Sequence, residues 1–416
     1  MNPSKTIISM NNKILVLNHI FWPDKINTAR HISELSEELV VRGWDVTAIV
    51  GNRYYVNHKK KITPKQGVWN GVKYRRIFTP PLNQKKNIQR LLTSLWLVLY
   101  WIIKLPFIGR YDAIIIGTNP PFAYLVVPFI KLFKRKTKIL MWGFDLYPEA
   151  IIVSKGKSFS FYGKILKNIA KFCYKKLDVI VDIGACMRNI YRQYDHLAIE
   201  ETLPPWSFVE PDKMLVPHIE TRQRLFKNAN LTLLYTGTIG NAHEFSSFLQ
   251  LARELNKRNA SVGFCFAGFG NRFEDLRSQI NEKDTNISFA GFVETDQELE
   301  ERLSSADVML ISLKNEWTGI SVPSKYFSAL AMGKAVLFSG SKESTLSTWT
   351  HKYNLGFQLQ KDNIDKVANV LCDIANNHEM ISKIKENSFK AYQDHFSKTI
   401  ICDKRSLLLK KTINNL

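Results

Sequence analysis

Several features that would assign a chain quickly are missing from these 416 residues. There is no Cys-x-x-Cys pair. The five cysteines, Cys173, Cys186, Cys265, Cys372 and Cys402, are scattered, which argues against a disulfide framework or a zinc site and suits a reducing cytoplasm. No Asp-x-Asp pair occurs, so a divalent metal held by adjacent carboxylates is not indicated. Low-complexity tracts are absent, and Met1–Asn12 lacks an apolar core of signal-peptide length. The apolar run at Leu91–Leu105 falls short of the ~20 residues a bilayer span requires. Acid is scarce in the first half: residues 1–205 hold 32 Lys+Arg against 13 Asp+Glu, a balance of +19.

What is present is lopsided in a useful way. The whole chain carries +21, so the remaining residues hold only +2. One half therefore faces something anionic: a lipid surface, a nucleic acid or a phosphorylated substrate. Lipid is favoured by the segment LLTSLWLVLYWIIKL at Leu91–Leu105, with Lys85, Lys86 and Arg90 before it and Lys104 and Arg110 within and after it. Bulky aromatics and basic flanks suit a helix lying in the membrane interface. A helix buried in the core has the same composition, and so has a short span. No nucleic-acid-binding motif accompanies the charge, which excludes that partner class.

Strands and helices alternate along the chain. Apolar runs at Lys13–Asn18, Asp45–Val50, Tyr111–Gly117, Lys138–Trp142 and Val179–Asp182 are strands, and Thr28–Arg42, Phe122–Phe133 and Tyr162–Lys176 carry helical spacing. Arg53–Arg76 is a basic stretch without periodicity. After Leu203-Pro204-Pro205-Trp206 the chain is polar and irregular to about Lys227, and then the alternation restarts. Strands are expected at Leu231–Tyr235, Val262–Phe266, Ile287–Phe289, Val308–Ser312 and Ala335–Ser339. Helices are expected at Glu244–Lys257, Arg272–Asn281, Asp296–Ser304 and Ser324–Met332. This predicts two doubly wound, Rossmann-like parallel-sheet domains, 1–205 and 206–390, with a helical segment 391–416 that could return to the first. Ligands of such sheets bind at the carboxyl ends of the strands, so the active site is expected in the cleft between the domains.

Three loops carry the chemistry. Thr236-Gly237-Thr238-Ile239-Gly240-Asn241 follows a strand and precedes a helix, and small residues there let N–H groups approach a diphosphate. Ala267-Gly268-Phe269-Gly270 is a second glycine turn into a helix. The stretch GISVPSKYFSALAMG, Gly319 to Gly333, starts a helix near Ser324 with Lys325 beside it, suited to phosphate or sugar hydroxyls. Each turn alone is equally at home in a purely structural role.

Taken in this order and spacing, the loops resemble the family-4 glycosyltransferases, in the branch that builds capsule, colanic-acid and O-antigen sugars. The resemblance also rests on FWPDKINTARHISELSEELVVRGWDVTAIVG, on Asp145-Leu146-Tyr147-Pro148-Glu149, on FAGFGNRFEDL and NISFAGFVETDQELEERLSSADVMLIS, and on VPSKYFSALAMGKAVLFSG. It implies a GT-B fold, a nucleotide-sugar donor (UDP- or GDP-linked) held by the second domain, an acceptor held by the first, and retention of anomeric configuration. Donor contacts then fall on Thr238, Gly240, Asn241, His243, Gly268, Gly270, Glu316, Ser324, Lys325 and Ser328. Acceptor contacts fall on His19, Arg30 and Glu149. Three positions depart from the family pattern. Asp24-Lys25-Ile26-Asn27 stands where many members have a glycine pair. The donor-helix carboxylates would fall near Ile320 and Ser328, with Glu316 close to the first. Gly240-Asn241-Ala242-His243 replaces an Arg and Lys, so Lys325 is the available cation.

The reaction needs donors for the negative charge that grows on the leaving diphosphate, which Lys325 and backbone N–H groups can supply without a metal. It also needs a proton acceptor for the incoming hydroxyl. Asp145, at the carboxyl end of a strand, is the candidate catalytic group; ordinary turn chemistry is the competing explanation. His31, inside a helix, is expected to be structural. The expected function is transfer of sugar to a lipid-linked (polyprenyl diphosphate) acceptor, by a cytoplasmic protein held peripherally on the inner membrane through about residues 85–110. The competing classes are a GT-B sugar-nucleotide epimerase, which needs no interfacial helix, and a catalytically degenerate partner subunit.

Overall fold

The computed structural model describes residues 12–156 and 159–414. Most of the Met1–Asn12 stretch lies outside the described residues. The chain divides into two compact units: Met1–Ile183 with Ile190–Leu203 and Cys402–Leu416, and Gly184–Asn189 with Pro204–Ile401.

The first unit runs β1 (Lys13–Leu17), α1 (Asn27–Val41), β2 (Asp45–Gly51), β3 (Gln66–Trp69), β4 (Val72–Ile77), α2 (Asn87–Lys104), β5 (Ala113–Gly117), α3 (Val127–Phe133), β6 (Lys138–Trp142), α4 (Glu149–Lys155), α5 (Ser160–Tyr174), β7 (Val179–Asp182) and β8 (Ile199–Thr202); α6 (Ala185–Arg192), between β7 and β8, belongs to the second unit up to Asn189. The eight strands lie in the order β3-β4-β2-β1-β5-β6-β7-β8, all parallel except the β3–β4 pair. Continuous apolar strands such as AIIIG of β5 are buried on both faces, as the centre of a parallel sheet demands.

The second unit runs α7 (Ile219–Phe226), β9 (Leu231–Thr238), α8 (Ser246–Lys257), β10 (Val262–Phe269), α9 (Phe273–Arg277), β11 (Ile287–Ala290), α10 (Asp296–Ser304), β12 (Val308–Ser312), α11 (Lys325–Ala331), β13 (Ala335–Ser339), α12 (Thr345–Lys352), β14 (Gly356–Leu359), α13 (Ile364–Asn376) and α14 (Glu379–Ala391). α15 (Lys398–Asn414) then ends the chain, contributing to this unit only up to Ile401. Its sheet has the order β11-β10-β9-β12-β13-β14, the doubly wound pattern in which the third, second and first strands precede the fourth, fifth and sixth. Alternation along β9 feeds two cores. Leu231, Leu233 and Tyr235 join one face and Leu234 the other.

Five local differences from the expectations stand out. The basic stretch 53–76 contains the β3–β4 hairpin, closed by Asn70 and Gly71, both at positive φ. An Asn-Gly pair between strands is the signal for such a turn. The supposedly irregular chain before Lys227 holds α7, whose His218 side chain caps the Thr221 N–H. The helix expected at Arg272–Asn281 is only five residues long, and α3 starts at Val127 after a 3₁₀ turn, Ala123–Val126. The return of the C-terminal helix to the first unit begins at Cys402, not at 391. There Trp44 donates to the Ser406 hydroxyl at 2.9 Å, and Arg405 lies 3.9 Å over the Trp142 ring.

Candidate functional site

In the first unit the sheet reverses direction between β1 and β5, and the crevice at such a switch point is where open α/β sheets bind ligands. His19, just past β1, sits there. Its N–H donates to the Asn119 carbonyl beyond β5 at 2.8 Å, and its ring packs edge-on to Tyr55, 5.9 Å away. Burial pulls its pKa down to about 4, so the imidazole is neutral at physiological pH.

Asp145 follows β6. The Thr118 hydroxyl fixes its loop by accepting from the Phe144 and Asp145 N–H groups at 3.1 and 3.3 Å. The residue is open to solvent, yet desolvation pushes its carboxyl up to about 6, against the pull of the Arg90 guanidinium. A recessed group reached by water on one side reconciles the two. The Arg90 guanidinium also pulls the Tyr55 phenol down, against the larger upward push of burial. Asp24 is buried and accepts from the Tyr55 N–H at 2.7 Å and the Ile26 N–H at 3.3 Å, so the residue standing in place of a glycine pair organises the first loop. Sequence reasoning missed Tyr55, Asp24, Thr118 and the inward role of Arg90, which was taken only as a membrane flank.

Two expected acceptor residues stand apart from this cluster. Glu149 opens α4 with its carboxylate turned into the interior, buried, where it accepts from the Tyr194 hydroxyl and lies 3.7 Å from Lys167. That corrects its expected presentation to an acceptor: the α4 turn that exposes Asp145 carries Glu149 inward. Arg30 lies in α1, half-buried, 3.8 Å from Glu34. The His31 Nδ1–H donates to the Asn27 carbonyl one turn back at 2.8 Å, and the residue is buried.

In the second unit the switch point lies between β9 and β12. The loop Ile239–His243 leaves β9 there and is pinned to the β12 exit, where the Lys314 N–H donates to the Ala242 carbonyl at 2.8 Å. Lys325, from the start of α11, reaches the same place. Its ammonium donates to the Tyr235 hydroxyl at 2.6 Å and lies 4.1 Å over that ring. Desolvation lowers its pKa to about 7. His243 is neutral, its pKa pulled to about 3 by burial and then by the charge of Lys325. Its Nδ1 accepts from the Gly240 N–H at 3.1 Å, which leaves the proton on Nε2. Thr238 and Asn241 are exposed beside it, and Asn271 donates to Asn241 at 3.3 Å.

Gly268 and Gly270 have a structural reason to be glycine. Both hold positive φ, and a Cβ on either would lie 2.0 Å from the Gly237 or Ile239 carbonyl oxygen. They let the β10 exit lie against the β9 exit, which brings both loops to one edge. A pocket of about 80 Å³ adjoins, lined in part by His243, Arg272 and Asp275. Phe269 and Phe292 form an exposed edge-to-face pair, centroids 4.9 Å apart, next to the glycine turn. Glu316 is exposed on a 3₁₀ turn, and Ser328 lies on α11 within 3.3 Å of the Ser207 hydroxyl. α11 is only seven residues long, so the Lys325 charge outweighs any dipole of that helix.

Comparison with known proteins agrees with this geometry. Residues 230–377 match the family described as glycosyl transferases group 1. The probable glycosyltransferase WbjE of Pseudomonas aeruginosa is 20% identical over 310 residues, covering 71% of this chain and 74% of that protein. Among solved structures, sucrose-phosphate synthase of Thermosynechococcus elongatus superposes with TM-score 0.70 at 13% identity, covering 97% of this chain and 100% of that one. HepE of Anabaena in complex with UDP and glucose superposes with TM-score 0.66 at 13% identity, covering 96% and 100%. Two Rossmann-like units in tandem give the chain a GT-B fold, and the similarity to the glycosyl transferases group 1 is confined to the second unit.

Proposed function

We propose that the chain is a retaining, metal-independent glycosyltransferase that moves a sugar from a UDP- or GDP-linked donor to a polyprenyl-diphosphate-linked acceptor in bacterial cell-surface polysaccharide synthesis. The observation that carries the donor half is Lys325. A lysine held at the switch point of the second sheet, with its pKa lowered to about 7 by desolvation, gains its charge most readily when an anion arrives. The leaving diphosphate is such an anion, and Thr238 and Asn241 of the β9 exit stand exposed beside it. HepE, whose structure holds UDP and glucose, supports a uridine donor. The exposed Phe269–Phe292 pair offers apolar ring surface for a base.

The acceptor half rests on Asp145, whose carboxyl at about 6 is poised to take a hydroxyl proton near neutrality. Metal independence rests on the sequence, which lacks an Asp-x-Asp pair. Retention follows the family resemblance. A peripheral, cytoplasmic-face location is supported by α2, whose outward side is apolar. A thermal-shift screen of nucleoside diphosphates and nucleotide sugars tests the donor half. A rise in unfolding temperature is expected for one nucleotide class, and no rise with any contradicts it. The anomeric coupling of the product by proton NMR tests retention.

A further inference from the structure

Single exposed apolar residues are normal, but contiguous ones mark a binding face. α2 turns an apolar side to solvent, the inverse of the polar outer side of a soluble amphipathic helix, and also buries Leu97, Val98 and Trp101. Its protein-facing side includes Thr93 and Ser94, whose hydroxyls donate back to the Gln89 and Arg90 carbonyls at 3.0 and 2.7 Å. Its outward side is Ile88, Leu92, Leu95, Leu99 and Ile103, each between 44% and 74% exposed.

The same inversion recurs far away in sequence. α5 buries Gly163, Ala170, Cys173 and Tyr174 and turns Phe161, Ile165, Ile169 and Phe172 outward. Those four recur at helical spacing, so they form one stripe along the helix. Between the two lies α3, with Phe129, Leu132 and Phe133 exposed. α3 packs against α5 and against the 3₁₀ turn Leu105–Phe107 that ends α2, and Lys134 just after it donates to the Ile108 carbonyl at 2.7 Å. Phe107 on that turn is 81% exposed.

Charge selects the occupant. None of the three helices contains Asp or Glu, and no acidic residue occurs between Asp45 and Asp112. Lysines border the stripes: Lys85, Lys86 and Lys104 around α2, Lys164 and Lys175 on and after α5. Lys176 lies 4.8 Å over the Phe172 ring. Asp178 and Asp195 pair with Lys131 and Lys171 nearby, yet cations outnumber acids around the stripes, and apolar side chains so bordered match a bilayer interface bearing anionic headgroups.

We propose that α2, α3 and α5 form one continuous bilayer-docking face of the first unit, in which α5 inserts alongside α2. This rests on the membrane reading of α2 and extends it from one helix to a three-helix platform.

The test uses the full chain and vesicles of phosphatidylcholine with and without phosphatidylglycerol. One variant carries Phe161→Ser, Ile165→Ser and Phe172→Ser; another carries Leu92→Ser, Leu95→Ser and Leu99→Ser. Each should weaken binding to the anionic vesicles on the order of tenfold or more while leaving circular dichroism unchanged. An α5 variant that binds like wild type overturns the platform, and release of the α2 variant in the same series leaves the single-helix reading standing. Wild type that ignores the vesicles overturns both. A wild-type dimer that the α5 variant dissociates, without change in vesicle binding, assigns the face to a second copy instead. If the triple α5 variant does not fold, Phe172→Trp keeps a ring there. Its added emission should be quenched by bromine-substituted lipid, and no quenching overturns the proposal.

Discussion

Lys325 and Tyr235 form a cation-and-phenol pair: the ammonium donates to the Tyr235 hydroxyl at 2.6 Å and lies 4.1 Å over its ring. The tyrosine comes from the central strand of the second sheet and the lysine from the helix after β12, so the pair ties the lysine to the sheet. A Cβ on Gly237 would lie 3.4 Å from the Lys325 Cε, which shows how closely the lysine approaches the β9 exit. Lys325→Met keeps the stem against the ring and removes the charge. Donor affinity should fall about 10- to 100-fold, since hydrogen bonds to charged groups contribute roughly 1.5–3 kcal/mol. Isothermal calorimetry with the preferred nucleoside diphosphate checks this, and undiminished affinity removes Lys325 from the phosphate site.

Protonation of Lys325 gives donor binding a pH signature. At pH 8 the group is mostly neutral in the free protein, because its pKa is about 7, and a bound diphosphate restores its charge. Binding should therefore take up close to one proton at pH 8 and far less at pH 6. Calorimetry in buffers of different ionisation enthalpy reads this directly. The stability effect has the opposite sense to that of a salt-bridged lysine. The pKa in the fold is lowered, so the charged form is disfavoured there below about pH 7, and the cost fades as pH rises towards the unfolded value. Lys325→Met should raise the unfolding temperature most at low pH.

Asp145→Asn should leave donor affinity unchanged and reduce transfer about 10²- to 10⁴-fold, the usual worth of a general base. In the wild type, kcat/KM should climb between pH 5 and 7 with a midpoint near 6, where the carboxyl ionises. A loss below about fivefold, or a flat profile, returns Asp145 to a turn-forming role.

Gly268→Ala tests the backbone argument. The new Cβ would meet the Gly237 carbonyl oxygen at 2.0 Å, at a φ of +134° that alanine rarely adopts. The cost should be at least about 2 kcal/mol of stability, combining backbone strain with the clash. A thermal or urea midpoint unchanged from wild type contradicts the close approach of the two loops.

The alternation of apolar runs made the sheets legible in the sequence, because buried parallel strands such as β5, β12 and β13 are continuous and leave little else to fit. Short elements escaped. β3 and β8 are only partly buried or exposed at alternate positions, and α4 and α7 are seven and eight residues long, so periodicity cannot mark them. The Asn70-Gly71 turn was the available signal for the hairpin. At the candidate site, Lys325 and His243 were legible because they follow strands at recognisable loops. Tyr55, Thr118 and Arg90 come from different loops whose meeting is a property of the tertiary fold. Glu149 was placed outward because sequence gives a loop its position but not the direction of each side chain. The apolar stripe of α5 was also missed, since its buried side is built from small residues and its outward side from large ones.

On the proposed function, sugar transfer requires both a nucleotide sugar and a lipid acceptor. Release of nucleoside diphosphate should be followed with purified protein, a panel of UDP- and GDP-sugars, and lipid extract from a bacterial inner membrane. Release is expected with one donor only when extract is present, and Lys325→Met and Asp145→Asn should each suppress it. Equal release without extract, or none with any donor, would contradict the account.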